Sequence, residues 1–142
     1  MTGKLILSRA LVDEMLAHCR AGRPNEACGV LAWEAGELVA VIPMTNAEHS
    51  PVRYRFDPRE QLEMYNQLRA RGWDLGAVYH SHTRTEAYPS PTDVREAREE
   101  VPYVIVSLAD ERPSIRAFRI LKANWADEEG EVEEIPLAVT RM

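Results

Sequence analysis

The spacing of apolar side chains in the first third of the chain predicts a strand, a helix and a hairpin. An apolar strand over residues 4–7 is followed by Ser8, a residue type preferred at helix N-caps. The next apolar positions recur at the helical intervals of three and four: Leu11, Met15, Leu16 and Cys19. Residues 28–33 and 38–44 are apolar and flank a turn-like tetrapeptide, which predicts a β-hairpin.

The middle of the chain predicts a weak strand, a helix and a buried strand. The weak strand covers residues 52–56. Asp57 then provides an N-cap acceptor before Pro58, and helical spacing of apolar residues continues until Gly72. Residues 75–79 form an apolar run that leads directly into His-Ser-His, which is typical of a buried strand.

The last third predicts a helix, a second hairpin and a final strand. The helix begins near Ser90, whose Ser-Pro-Thr-Asp sequence is typical of a helix start, and we expect it to end at Pro102. Residues 103–108 and 115–121 predict the hairpin, and residues 132–139 the final strand. Strands interleaved with about three helices predict an α/β chain of the α+β type, a mixed β-sheet flanked by helices. With 142 residues, we expect one domain over 1–142.

Composition and charge exclude several classes of protein. The apolar run at residues 103–109 is far too short to span a membrane, and charged residues interrupt the N-terminus, so no signal peptide is visible. We therefore expect a cytoplasmic protein. The formal charge is -6, and residues 127–134 hold six acids and no base. We interpret this segment as a solvated turn, and the neutral remainder gives no support to nucleic-acid binding.

Two of the four histidines, His80 and His82, lie two positions apart at the end of a predicted strand. Side chains at i and i+2 of a strand point to the same face, so both imidazoles can bind one metal ion. Asp93 follows eleven residues later, in the first turn of the next predicted helix. Two imidazoles and one carboxylate leave a fourth position open on a tetrahedral zinc ion, as in catalytic zinc sites.

Each part of this pattern also has an ordinary structural explanation. A pair of histidines at a strand end can be polar surface, and Ser90 with Asp93 can be a capping pair. Together, at the spacing His-x-His-x7-Ser-x2-Asp and in a strand–loop–helix context, they favour a metal site.

Hydrolysis at such a metal also needs a general base, and spacing alone does not choose among the acids of the chain. Glu26 stands at the mouth of an apolar strand, where an acid is unusual, although a solvated loop acid explains it equally well. Ser90 can donate a hydrogen bond to the oxyanion of an attacked carbonyl. Cys28 lies in an apolar strand without a neighbouring histidine, and Cys19 lies on the apolar helix face, so both are expected to be core residues.

These residues make the chain resemble the JAMM/MPN+ zinc metallopeptidases. Their signature is an upstream Glu followed by His-x-His-x7-Ser-x2-Asp, and Glu26, His80, His82, Ser90 and Asp93 match it without insertion. The resemblance runs from about residue 11 to 121. It implies a layered fold like that of the cytidine deaminases and one Zn²⁺ ion bound by the two histidines and the aspartate. It also implies that the glutamate is the general base and that the serine supports the tetrahedral intermediate.

The loop over residues 83–90, the Met-Thr-Asn-Ala stretch at 44–47 and the small size are similar to an actinobacterial branch of that family. This similarity implies a ubiquitin-like sulfur-carrier protein with a C-terminal Gly-Gly-Cys as substrate. Cleavage after Gly-Gly would release cysteine and regenerate the carrier, which completes a route of cysteine biosynthesis. A JAMM isopeptidase acting on another ubiquitin-like conjugate and a non-catalytic scaffold of the same fold are the alternatives. The sequence leaves a homodimer open.

An extended Gly-Gly tail is held by main-chain pairing to a strand edge, and residues 44–56 and 83–89 are the candidate channel. Asn46 fits two roles equally, fixing the local geometry or contacting the tail. Arg84 and Tyr88 are weaker candidates for contacts with the substrate. His18 and His49 lack partners at ligand spacing and are expected in surface or turn positions. A zinc deaminase would need a Pro-Cys-x-x-Cys motif that two cysteines nine residues apart cannot form.

Overall fold

The computed structural model describes residues 3–141, so the predicted domain limits at Met1 and Met142 lie outside it. The elements of the described residues are β1 (Leu5–Ser8), α1 (Arg9–Ala21), β2 (Cys28–Glu34), β3 (Glu37–Met44), α2 (Pro58–Arg71), β4 (Asp74–His82), α3 (Pro91–Glu96), β5 (Tyr103–Ser107), β6 (Ser114–Leu121), β7 (Glu131–Ile135) and β8 (Leu137–Thr140).

Six strands form one mixed sheet in the order β3-β2-β4-β5-β6-β7. The pairing of β4 with β5 is parallel, and the other four pairings are antiparallel. β1 and β8 pair in parallel as a separate two-stranded sheet. The expected mixed sheet flanked by helices is confirmed.

The central strands β2, β4 and β5 are mostly buried, and their successive side chains point to opposite faces of the sheet. Leu31 of β2 belongs to one apolar cluster with the buried side chains of α1. Val30 and Ala32 belong to a second cluster with the buried side chains of α2 and α3. The buried positions of the central strands are therefore mostly apolar, and the buried His-Ser-His at the end of β4 is an exception.

Local sequence signals placed the helix starts and the first hairpin correctly. The Ser8 hydroxyl accepts a hydrogen bond from the backbone of Leu11, and Asp57 caps α2 in the same way. Gly72 ends α2 in the left-handed conformation, with φ 69°. The hairpin of β2 and β3 turns at Ala35 and Gly36, which both have positive φ.

Two predictions in the middle of the chain are wrong. Residues 52–56 form no strand, and their pairing is limited to an isolated bridge between Asn46 and Phe56. α3 ends at Glu96 instead of continuing to Pro102. The backbone N–H groups of Arg98 and Glu99 instead donate to the Tyr103 hydroxyl, 3.1 and 3.0 Å away.

The predicted final strand is divided into β7 and β8 at Pro136, which has no N–H to donate to a sheet. β8 leaves the main sheet to pair with β1. The expectation that the acidic segment over residues 127–134 is a turn is wrong for its second half, which belongs to β7. There Glu134 forms a bidentate ion pair with Arg116 of β6.

The helices within residues 3–141 are all too short or too polar to span a membrane.

Candidate metal centre

β4 carries His80 and His82 on the same face, at the end of a strand that is buried between β2 and β5. Their exposed fractions are 1% and 4%. Imidazoles in such an apolar strand need polar partners, because a buried polar group without a hydrogen bond or ligand destabilises the fold.

Asp93 reaches the same point from α3. The helix begins at Ser90, whose hydroxyl accepts a hydrogen bond from the Asp93 backbone N–H, 3.1 Å away. Asp93 Oδ2 in turn accepts from the Ser90 N–H at 2.9 Å, which completes a capping box. The capping explanation for this pair is therefore correct, and the same geometry holds the aspartate towards the histidines.

Three donor atoms converge at the end of β4. The Nε2 atoms of His80 and His82 are 3.1 Å apart, and Asp93 Oδ2 is 3.2 and 3.0 Å from them. Tetrahedral bonds of about 2.0–2.1 Å would place such donors about 3.3 Å apart, so the triangle is close to the size that zinc requires. Two imidazole nitrogens and a carboxylate oxygen are also the donor types that zinc prefers, and the residues fit this metal.

Strand pairing brings Glu26 to the same place. Cys28 pairs with His80 across β2 and β4, and a hydrogen bond from Ser81 N–H to Ala27 O (3.0 Å) continues this pairing towards Glu26. Glu26 is 5% exposed, and its Oε1 atom has no hydrogen-bonding partner among the described residues. A buried carboxylate without a partner destabilises the fold, which is typical of functional residues.

The pKa values of the Glu26 and Asp93 carboxyl groups are shifted in opposite directions. Burial and then the nearby Asp93 charge raise the pKa of Glu26 to about 8, although His82 opposes this shift. Burial also opposes ionisation of Asp93, but both histidines and the Ser90 N–H hold its pKa well below the usual range. Asp93 is thus an ionised candidate ligand, and Glu26 is a candidate for proton exchange.

The loop after β4 orients His82. His82 Nδ1 lies 2.8 Å from the carbonyl oxygen of Glu86, so Nδ1 can donate there while Nε2 faces the other donors. The Ser107 hydroxyl donates to the neighbouring carbonyl of Thr85 at 2.6 Å and fixes the loop. In this loop, Tyr88 is 44% exposed with its ring edge against Phe118, and Arg84 is exposed.

Asn46 has a structural role in the site. Its Nδ2 donates to the carbonyls of Glu26 and Arg53, each at 2.9 Å, and its Oδ1 accepts from the N–H groups of Glu48 and Arg55. The side chain is 9% exposed and most of its hydrogen-bonding capacity is used. Of the two roles the sequence left open, fixing the local geometry is the one its contacts support.

Sequence reasoning missed Tyr54, whose ring stacks on His80 with centroids 4.4 Å apart and planes 25° apart. The two residues are 26 positions apart and no motif joins them, so the local sequence carried no signal.

The expectation for His18 is wrong in part, because its Nδ1 lies 2.6 Å from the Tyr79 hydroxyl. His18 also lines a cavity of about 250 Å³ beside Glu26.

Both cysteines are fully buried, as expected of core residues. Burial is the main reason that the pKa of each thiol is raised to about 12. A thiol with such a pKa is protonated at neutral pH and is a poor nucleophile.

Comparison with known proteins connects this geometry to a family. The profile of prokaryotic homologues of the JAB domain matches residues 8–121. The CysO-cysteine peptidase of Mycobacterium tuberculosis is 44% identical over 139 residues, 95% of this chain and 90% of that protein. A probable TtuB-protein conjugate cleaving protease of Thermus thermophilus is 41% identical over 115 residues, 80% of this chain and 74% of that protein.

A solved structure also has the same fold. Protein DSY2949 of Desulfitobacterium hafniense is 34% identical and superimposes with a TM-score of 0.83 over 97% of this chain and 94% of its own. The resemblance inferred from the motif is thus confirmed at the level of the family. The chain belongs to the prokaryotic JAB-domain family, as a hydrolase of the peptidase type.

Proposed function

We propose that this chain is a zinc-dependent peptidase that removes cysteine from the C-terminal Gly-Gly end of a ubiquitin-like sulfur-carrier protein. One observation carries the proposal: two imidazole nitrogens and a carboxylate oxygen converge within 4.8 Å, with the buried acid Glu26 just before the adjacent strand β2. A single zinc ion held by His80, His82 and Asp93 would polarise the scissile carbonyl and acidify a water molecule.

Glu26 acts as general base and then as general acid. Its carboxylate takes a proton from the attacking water and passes it to the amine of the departing cysteine. Oε1 has no hydrogen-bonding partner within residues 3–141, which supports this role because the atom is free to exchange a proton. Asn46 supports it as well, since the amide holds the Glu26 main chain at the carbonyl.

Ser90 stabilises the oxyanion. Its hydroxyl oxygen accepts from the Asp93 N–H, so its own hydrogen is left to donate to the oxygen of the attacked carbonyl. The hydroxyl is held by the first turn of α3, next to the Asp93 ligand, which fixes its direction before substrate binds.

The names of the relatives support the class of substrate. The M. tuberculosis protein is named as a CysO-cysteine peptidase, and the match covers nearly all of both chains. The T. thermophilus protein is named for cleavage of protein conjugates, which favours a second candidate function, hydrolysis of isopeptide bonds to a ubiquitin-like protein. In both reactions residues 44–56 and 83–89 border the tail, with Arg84 and Tyr88 as candidate contacts.

A direct assay tests this function. The zinc-loaded protein is incubated with a sulfur-carrier protein ending in Gly-Gly-Cys and, separately, with the same carrier joined to a lysine side chain. Mass spectrometry is expected to show loss of cysteine, and a chelator is expected to stop it. Cleavage of only the lysine conjugate would favour the second function, and cleavage of neither substrate would contradict both.

The glutamate mechanism is tested by Glu26→Gln, which keeps the shape of the side chain and removes its basicity. We expect kcat to fall by about 10²–10⁴-fold while zinc binding is retained. Glu63→Gln, at an exposed position of α2, is the matched control and should keep full activity. Activity of Glu26→Gln equal to the wild type would rule out the proposed base.

A further inference from the structure

The two candidate histidine ligands are oriented in different ways. His82 has a polar partner for each ring nitrogen, because Nδ1 faces the Glu86 carbonyl and Nε2 faces Asp93. His80 Nε2 also faces Asp93, but its Nδ1 is buried and has no hydrogen-bonding partner among the described residues. A histidine that binds a metal usually donates its second nitrogen to a carbonyl or carboxylate, which fixes the plane of the ring.

An aromatic ring lies against the face of the His80 imidazole. The Tyr54 ring lies nearly parallel to the imidazole, with centroids 4.4 Å and planes 25° apart. On the metal side, the His82 ring contacts His80 at a steeper angle, with centroids 4.9 Å apart. A ring stacked at 4.4 Å allows little tilt of the imidazole, because tilting would drive its atoms into the phenyl face.

The backbone around Tyr54 is held on both sides. Asn46 accepts from the Arg55 N–H (3.2 Å) and donates to the Arg53 carbonyl (2.9 Å), so one amide fixes the residues before and after Tyr54. Arg53 also forms a forked ion pair with Glu96 of α3, the helix that carries Asp93. The segment is irregular, but these contacts join it to the elements that carry the other site residues.

We propose that Tyr54 is a positioning residue for His80: its ring sets the plane of the imidazole and thereby aims Nε2 at the metal. The stack performs the task that the Glu86 carbonyl performs for His82. This inference depends on the metal site of the proposed function. It assigns the effect to the aromatic ring and not to the hydroxyl, which distinguishes it from a role in substrate binding or proton transfer.

Metal binding by the full-length protein tests the assignment without an activity assay. Zn²⁺ affinity is measured by competition with a chromophoric chelator, and Co²⁺ is used as a spectroscopic probe of the geometry at the metal. We expect Tyr54→Leu to weaken Zn²⁺ binding by roughly ten-fold and to shift the visible Co²⁺ bands. Tyr54→Phe and Tyr54→Trp keep an aromatic face and should retain the wild-type affinity and spectrum.

Phe56→Leu is the matched control, because Phe56 contacts the Tyr54 ring (centroids 5.9 Å apart) but, within residues 3–141, makes no ring contact with His80. It removes similar apolar bulk and should leave metal affinity and the Co²⁺ spectrum unchanged. Wild-type affinity in Tyr54→Leu would overturn the proposal. So would an equal loss in Tyr54→Phe, since the hydroxyl would then be the functional group, or an equal loss in Phe56→Leu.

Two further outcomes are separable. If the wild-type protein binds neither metal, the proposed function fails and not only the role of Tyr54. If Tyr54→Leu does not give the far-ultraviolet circular dichroism of a folded protein, the decision rests on the Phe and Trp variants. Both must bind as the wild type does, and a loss in either overturns the proposal.

Discussion

At the scale of single residues, Gly29 and Tyr79 show how closely the strand before the site is packed. The two residues pair across β2 and β4, and the Tyr79 ring lies over Gly29. A Cβ atom on Gly29 would lie 2.5 Å from two ring carbons, well inside van der Waals contact. Glycine is needed here because the Tyr79 ring lies so close to the backbone of β2. Tyr79 directly precedes His80, the first candidate ligand, and its hydroxyl reaches His18 on α1.

Gly29→Ala is therefore expected to destabilise the protein. The added methyl group must displace the Tyr79 ring, and overpacking of this kind lowers the free energy of unfolding by about 1–3 kcal/mol. Urea unfolding followed by circular dichroism measures the change. Gly22→Ala is the control, because its nearest side-chain neighbour would be 3.2 Å away and the effect should be smaller. Equal effects of the two substitutions would contradict the packing argument.

At the scale of elements, α3 is the least self-sufficient part of the site. A helix of six residues is unstable alone, so contacts at both ends must hold it. The Ser90 capping box fixes its start. Its end is fixed by Lys122 of the chain after β6, whose Nζ donates to the carbonyls of Val94 and Arg95, each at 3.0 Å. These contacts hold Asp93 between the two fixed ends.

Lys122→Met should loosen the end of α3 and affect Asp93 indirectly. We expect a loss of about 1 kcal/mol in the free energy of unfolding, since hydrogen bonds to a charged donor are lost. Zn²⁺ affinity should also decrease, while Lys4→Met, at an exposed position, should change neither quantity. Urea unfolding and chelator competition measure the two effects. Unchanged metal binding in a destabilised Lys122→Met would contradict the coupling of this contact to the site.

At the scale of the whole molecule, the site joins parts of the chain that fold together only in the native state. Glu26 lies in the segment just before β2, the histidines lie on β4, and Asp93 lies on α3. A metal ion held by residues from such distant segments binds the folded state far more tightly than the unfolded chain. Its binding free energy therefore adds to stability.

Zinc is accordingly expected to raise the melting temperature at neutral pH, and a chelator to lower it. At free zinc about 100 times Kd, the stabilisation is about 2.7 kcal/mol. Burial lowers the pKa of His82, but its hydrogen bonds with Asp93 and the Glu86 carbonyl outweigh this and raise the pKa above its usual value. An imidazole must be neutral to bind zinc, so the gain should be present above this raised pKa and decrease as the pH falls through it. Thermal melts with and without zinc at several pH values measure this. Asp93→Asn should reduce the shift, and an identical shift in that variant would place the zinc elsewhere.

The sequence by itself determined whatever depends on local geometry. His80 and His82 share a face because strand side chains alternate, and Ser90 with Asp93 begins a helix because the caps need acceptors. The same reasoning located the hairpin of β2 and β3, and the motif identified the family. Each of these signals extends over a few neighbouring residues, so periodicity and capping were sufficient to predict them.

Only the tertiary structure decided which distant segments meet. Residue spacing did not choose among the acids of the chain, and the pairing of β2 with β4 brought Glu26 close to His82. Tyr54 is held over His80 by a different long-range contact, the hydrogen bonds of its neighbours Arg53 and Arg55 with Asn46. The separation of β8 from β7 likewise depends on the free edge of β1. The physical reason is that long-range pairing is chosen by competition among all strands and faces, which no local pattern records.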